Sequence, residues 1–158
     1  MDALELLLNR RSIAKLSAPA PTGQVLENIL RAGLRAPDHA NLTPWRFVVA
    51  EGEGLNTLSS ILVKAAQTEE SDLAVIEKLK SAPFRAPMVI TVIAKVTPHD
   101  NVPAIEQHIS AGCAAQAMQM AAMAQGLQGC WRSGKWMFQH EVRQAFGLTG
   151  EDEIVGFL

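Results

Sequence analysis

Between Ile109 and Ala124 the chain reads ISAGCAAQAMQMAAMA, which places small residues and methionines on every face of a helix. A helix apolar all round has no side to give to water, so the segment Pro103 to Ala124 is expected as one long helix in the middle of the fold. Its most apolar part, Ala111 to Ala124, is interrupted by Gln116 and Gln119. It also falls short of the roughly 18 residues that span a bilayer, so it reads as a buried helix.

The elements around it follow from local pattern. Asp2 is positioned to cap a first helix carrying Leu4, Leu7 and Leu8 on one face, with Arg10 and Arg11 where the pattern stops. Thr22 opens a second helix with Val25, Leu26, Ile29, Leu30 and Gly33 along one side, and Pro37 cannot prolong it. After the loop APDHANLTP, RFVVAE predicts a strand, and Leu55 to Ala66 and Leu73 to Leu79 predict two surface helices. MVITVIA, from Met88, is almost continuously apolar and β-branched, which suits a central strand covered on both faces. Glu141 to Phe146 predicts a short helix, and EIVGFL a final strand.

With 158 residues and 48% hydrophobic content the chain suits one domain, 1–158, with its own core. A net charge of -2 without clustered Lys and Arg gives no surface for tracking phosphates, so nucleic acid is not an expected partner. Two cysteines in apolar surroundings, Cys113 and Cys130, and no cationic stretch ahead of the first apolar one favour a cytoplasmic setting over secretion. No membrane association is expected. The sequence holds no GxGxxG, Walker loop, GxSxG, CxxC or HExxH, and His39, His99, His108 and His140 are too scattered to suggest a metal site.

Three short stretches remain: Arg10-Arg11-Ser12 after the first helix, Ala36-Pro37-Asp38-His39 leading through Asn41 to Pro44-Trp45-Arg46-Phe47, and Gly126 through Gly129 to Trp131-Arg132-Ser133. Each has an ordinary explanation. Arg10 and Arg11 complement a helix C-terminus, Arg35 is a surface residue, His39 serves a turn, and Trp131 is a core aromatic. Cys130 has no base fixed near it and reads as a small apolar residue.

In this order, over essentially the whole chain, the three stretches resemble the FMN-dependent nitroreductase family, close to its short members. The resemblance implies an α+β fold in which a mixed sheet is flanked by helices, with the long helix at the centre of a homodimer and FMN sites at the subunit interface. It makes Arg10, Arg11 and Ser12 ligands of FMN together with Trp131, Arg132 and Ser133, and it sends Arg35 and His39 to the FMN of the other subunit. Guanidinium and hydroxyl donors suit a phosphate, a ribityl chain and a ring that becomes negative on reduction. The resemblance also assigns Ala121, Ala122, Met123, Ala124, Gln125 and Gly126 to the nicotinamide cofactor, although these residues by themselves look like helix packing.

The implied activity is an oxidoreductase in which NADH or NADPH reduces FMN and a nitroaromatic, quinone or related acceptor reoxidises it, by a ping-pong route with no catalytic side chain. Two alternatives stay open: a flavin-binding or degenerate dimer without activity, and a dehydrogenase with another substrate on the same scaffold. Resembling proteins continue past the last strand into a tail that crosses onto the partner, often with a basic residue near the FMN phosphate. The tail is expected to be absent here, since the sequence stops at Val155-Gly156-Phe157-Leu158.

Overall fold

A computed structural model describes residues 2–158. Helix α1 (Ala3–Asn9) begins as expected, with Asp2 Oδ1 accepting from the Glu5 N–H at 2.8 Å. Helix α2 (Gly23–Gly33) leads through the 34–44 loop into strand β1 (Trp45–Glu51). Helices α3 (Glu53–Thr68) and α4 (Leu73–Ser81) follow, then strand β2 (Met88–Ala94), helix α5 (Ala104–Ala124), helix α6 (His140–Ala145) and strand β3 (Glu153–Phe157). Every long element predicted from pattern is present within a few residues of its expected bounds.

The strands form one sheet in the order β1-β2-β3, antiparallel at both junctions. The α+β class holds, but within the described residues the sheet is antiparallel rather than mixed. Between β1 and β2 the chain crosses the domain twice, along α3 and back along α4. The Ser59 hydroxyl on α3 donates to Lys80 O near the end of α4, which makes the two helices a hairpin. An even number of crossings returns the next strand in the opposite sense.

All seven residues of β2 are buried, and their two-residue alternation divides the core. Val89 and Ile93 face α3, α4 and α6 with Leu58, Leu62, Ala65 and Val142. Met88, Ile90 and Val92 face α2 and α5 with Ile29, Ala115 and Met118. Helices α2 and α5 approach closely at Gly33, where a Cβ would come 2.9 Å from both Met118 Cγ and Phe47 Cζ. At the sheet's end Asp152, 1% exposed, accepts from Lys95 Nζ at 2.7 Å, Val96 N at 2.9 Å and Thr149 N at 3.1 Å.

Helix α5 spans the expected residues, but it is not covered on every side. Ile105 (62% exposed), Ile109 (59%) and Cys113 line one open stripe, and Leu4, Leu7 and Leu8 of α1 are also exposed. Cys113 is therefore not a buried cysteine, and Cys130 is only half-buried. Apolar pattern reports what a chain must cover, and a single copy leaves this surface uncovered. No helix among the described residues is long and apolar enough to cross a membrane.

Candidate functional site

Two of the three singled-out stretches meet. Arg10 ends α1, and its Nη1 donates to Ser12 Oγ at 3.2 Å. The chain then runs beside the segment after α5, where Ile13 N donates to Gly129 O at 3.2 Å. Arg132 Nη2 donates to Ala14 O at 3.0 Å, so the guanidinium fixes one loop against the other. Arg132 also exchanges both backbone hydrogen bonds with Phe157 at 2.8 Å, which attaches the loop to the edge of β3. Arg10, Arg11, Ser12, Trp131, Arg132 and Ser133 thus come from loops that border each other, although 118 positions separate Ala14 from Arg132.

Trp131 is 36% exposed, so it is not a core aromatic. Its indole N–H donates to Val155 O at 3.0 Å, and its ring lies against Gly112 of α5 and Gly156 of β3. A cavity of about 770 Å³ opens alongside, lined by Ile13, Ala14, Trp131, Arg132, Ser133 and Gly134 on this side and by α3 and α4 on the other. That size lies within the ~300–1,000 Å³ typical of small-molecule pockets. Its ionisable lining residues other than Cys130 are Lys78, Arg85, Arg132 and Lys135, with no carboxylate among them. A cationic, partly apolar cavity lined by Arg132 and Ser133 and by Ile13 and Ala14 of the loop that follows Arg10, Arg11 and Ser12 fits an anionic ligand with a planar ring, as FMN is.

Arg35 and His39 stand elsewhere. They belong to the loop after α2, which is fastened to the first half of α5: the Ser110 hydroxyl donates to Pro37 O, and His39 Nδ1 lies 2.8 Å from Glu106 Oε2. Asp38 holds the loop's shape, its carboxylate accepting from Leu42 N at 3.0 Å and Thr43 N at 2.7 Å. Ser110 faces this loop and Gly112 faces Trp131. At 3.6 residues per turn these two positions point about 200° apart around α5. The helix therefore stands between the two groups, and one chain does not bring Arg35 and His39 to Arg10 and Trp131.

The stretch Ala121 to Gly126 is the C-terminal end of α5 and the turn after it. Met123 is buried, and Ala121 and Ala122 pack against the α2 side of the core. Gln125 accepts from Asn28 Nδ2 at 2.9 Å and donates to Val25 O and Ala121 O, so its amide fastens α5 to α2. Ala122 and Gly126 border a second, smaller cavity of about 370 Å³. Two residues of the region escaped sequence reasoning. Glu106 is 67 positions from His39, and the part Gly156 plays depends on an indole supplied from another loop. Among the described residues no group of three or more His, Cys, Asp or Glu is placed to hold a metal ion.

A family model described as the nitroreductase family matches residues 7–158. The chain is 56% identical over 158 residues to YdjA of Escherichia coli strain K12, named as a candidate NAD(P)H nitroreductase, covering all of this chain and 86% of that protein. The crystal structure of a nitroreductase-like family protein from Bacillus cereus superposes with a TM-score of 0.87 at 24% identity, covering 99% of this chain and 83% of that one. The FMN-dependent nitroreductase NfnB of Mycobacterium smegmatis, solved in complex with NADPH, superposes with a TM-score of 0.75 at 19% identity, covering 98% and 84%.

Proposed function

The chain belongs to the nitroreductase family, and from that premise we propose that it is an FMN-dependent oxidoreductase that uses NADH or NADPH to reduce nitroaromatic, quinone or related acceptors. The observation that carries this reading is the junction of the Arg10–Ser12 loop with the Trp131–Ser133 loop beside a cavity whose charged lining residues are all cations. Arg10, Arg11 and Ser12 are assigned to the phosphate and ring edge, and the backbone from Trp131 to Ser133 to the ring face. FMN, when bound there, would supply the redox chemistry: hydride acceptance from the nicotinamide and electron donation to the acceptor in separate half-reactions. The protein's own contribution is to bind and orient the ring, to supply positive charge where negative charge develops, and to limit water. This division of labour requires no nucleophilic side chain.

The functional unit in this reading is a homodimer. A second copy would cover the open stripe of Ile105, Ile109 and Cys113 together with the leucines of α1. It would also bring its own Arg35 and His39 to the neighbouring flavin, which the intervening α5 prevents within one chain. Names of related proteins support the cofactors: YdjA carries NAD(P)H in its name, and NfnB carries FMN and NADPH.

The test is reconstitution. Protein titrated with FMN should give a saturable change in flavin fluorescence, and anaerobic NADH or NADPH should bleach the bound flavin's visible absorbance. Addition of a quinone or nitroaromatic should restore the colour. Failure of FMN to bind, or bound flavin that neither nucleotide bleaches, would contradict the proposal.

A further inference from the structure

Glu106 occupies the first turn of α5, where a carboxylate complements the positive end of the helix dipole. Its Oε2 lies 2.8 Å from His39 Nδ1. An ionised carboxylate can only accept, so this bond requires the imidazole proton on Nδ1 and leaves Nε2 on the side of the ring away from Glu106. The loop carrying His39 is itself held firmly. Asp38 takes the Leu42 and Thr43 N–H groups, Ser110 takes the Pro37 carbonyl, and Ala40, Asn41 and Thr43 stand at φ 63°, 53° and 49°. Left-handed backbone at residues other than glycine costs energy and persists where the surroundings over-determine it. The loop thus fixes the His39 Cα, and what remains free is the ring.

We propose that Glu106 is a positioning residue that fixes the tautomer and angle of the His39 ring, so that Nε2 is the nitrogen presented to the ligand. The inference rests on the reading above, in which His39 meets a flavin bound by a second copy. The pair's exposure separates this role from a structural one. His39 and Glu106 side chains are 58% and 47% exposed, and exposed pairs contribute little to folding. A ligand that covers the ring, however, is sensitive to which nitrogen faces it and at what angle.

The test is a double-mutant cycle on the full chain, read by FMN affinity and thermal midpoint, with the tautomer followed by nitrogen NMR shifts of His39. Glu106→Ala is expected to weaken FMN about three- to tenfold, with only the small loss of midpoint that removing an exposed first-turn carboxylate brings. Glu106→Gln keeps an oxygen acceptor and should retain most of the affinity and the Nδ1–H tautomer. In a His39→Ala background, Glu106→Ala should have no further effect. Equal weakening by Glu106→Ala in both backgrounds, or no weakening while His39→Ala does weaken FMN, would overturn the role of Glu106 alone. FMN binding unchanged by His39→Ala would overturn the assignment of His39 to the flavin, and this inference with it.

Discussion

Gly156 leaves the space that the Trp131 indole fills: a Cβ at position 156 would lie 2.0 Å from Trp131 Nε1 and 3.0 Å from Arg132 O. The first atom belongs to a ring that is itself fastened to Val155 O, and the second to backbone, so neither yields easily. The shape of the 131–133 loop therefore depends on a missing side chain one strand away.

Gly156→Ala should displace Trp131 and strain the loop, costing ~1–3 kcal/mol, as overpacking commonly does. Tryptophan fluorescence and the FMN dissociation constant should both change. Unchanged affinity in a protein with a displaced indole would show that the loop's shape is unimportant for the flavin.

Arg10→Ala removes a charge-assisted bond assigned to the FMN phosphate and should raise the FMN dissociation constant roughly ten- to hundredfold, about 1.5–3 kcal/mol. Arg10 is only half-buried and among the described residues its one side-chain partner is the nearby Ser12, so the thermal midpoint should hardly move. A variant that melts early and binds FMN normally would make Arg10 structural.

Asp152 supplies a pH dependence. Burial alone would raise its pKa, but the hydrogen bond from Lys95, the N–H groups of Thr149 and Val96 and the Lys95 charge together hold it below the ordinary aspartate value. A carboxyl lowered in the folded state stabilises the fold fully above its unfolded pKa, and the contribution is lost as pH falls through the folded value. Wild type should lose stability across that acid range. Asp152→Ala should be less stable by ~2–4 kcal/mol at neutral pH, since it strands buried donors, and should show a flatter acid limb. A mutant with the wild-type acid limb would assign that limb to other groups.

Steady-state kinetics with NADH or NADPH and a quinone or nitroaromatic should give parallel double-reciprocal lines, because one ring face serves donor and acceptor in turn. Intersecting lines would show both substrates bound together and contradict a shared site.

What could be read in the sequence is what depends on neighbours along the chain. The Asp2 cap, the continuously apolar strand Met88–Ala94 and the end of α2 before Pro37 are local events, and each is found where pattern places it. Motif order singled out two stretches whose loops border each other through Ile13 to Gly129 and Ala14 to Arg132. The strand directions were not legible, because they depend on α3 and α4 turning back as a hairpin. Nor was the 38–43 loop, whose left-handed residues include Ala40 and Thr43 rather than glycines and are held by the Asp38 carboxylate. The apolar residues of α1 and α5 were recognised from their pattern, but pattern does not distinguish a face buried within one chain from one that a single copy leaves open.

The central claim is that one flavin site draws Arg10 from one chain and His39 from another, and mixed dimers test it most directly. Arg10→Ala and His39→Ala proteins, each confirmed inactive at an FMN concentration that fills wild-type but not mutant sites, are dissociated, mixed in equal amounts and reassociated, with heterodimers verified by mass. Random pairing makes half of the dimers mixed, and each of these has one site with both native residues, so activity should return in roughly a quarter of all sites. No recovery in mixtures shown to contain heterodimers would place Arg10 and His39 in the same chain's site and contradict the account.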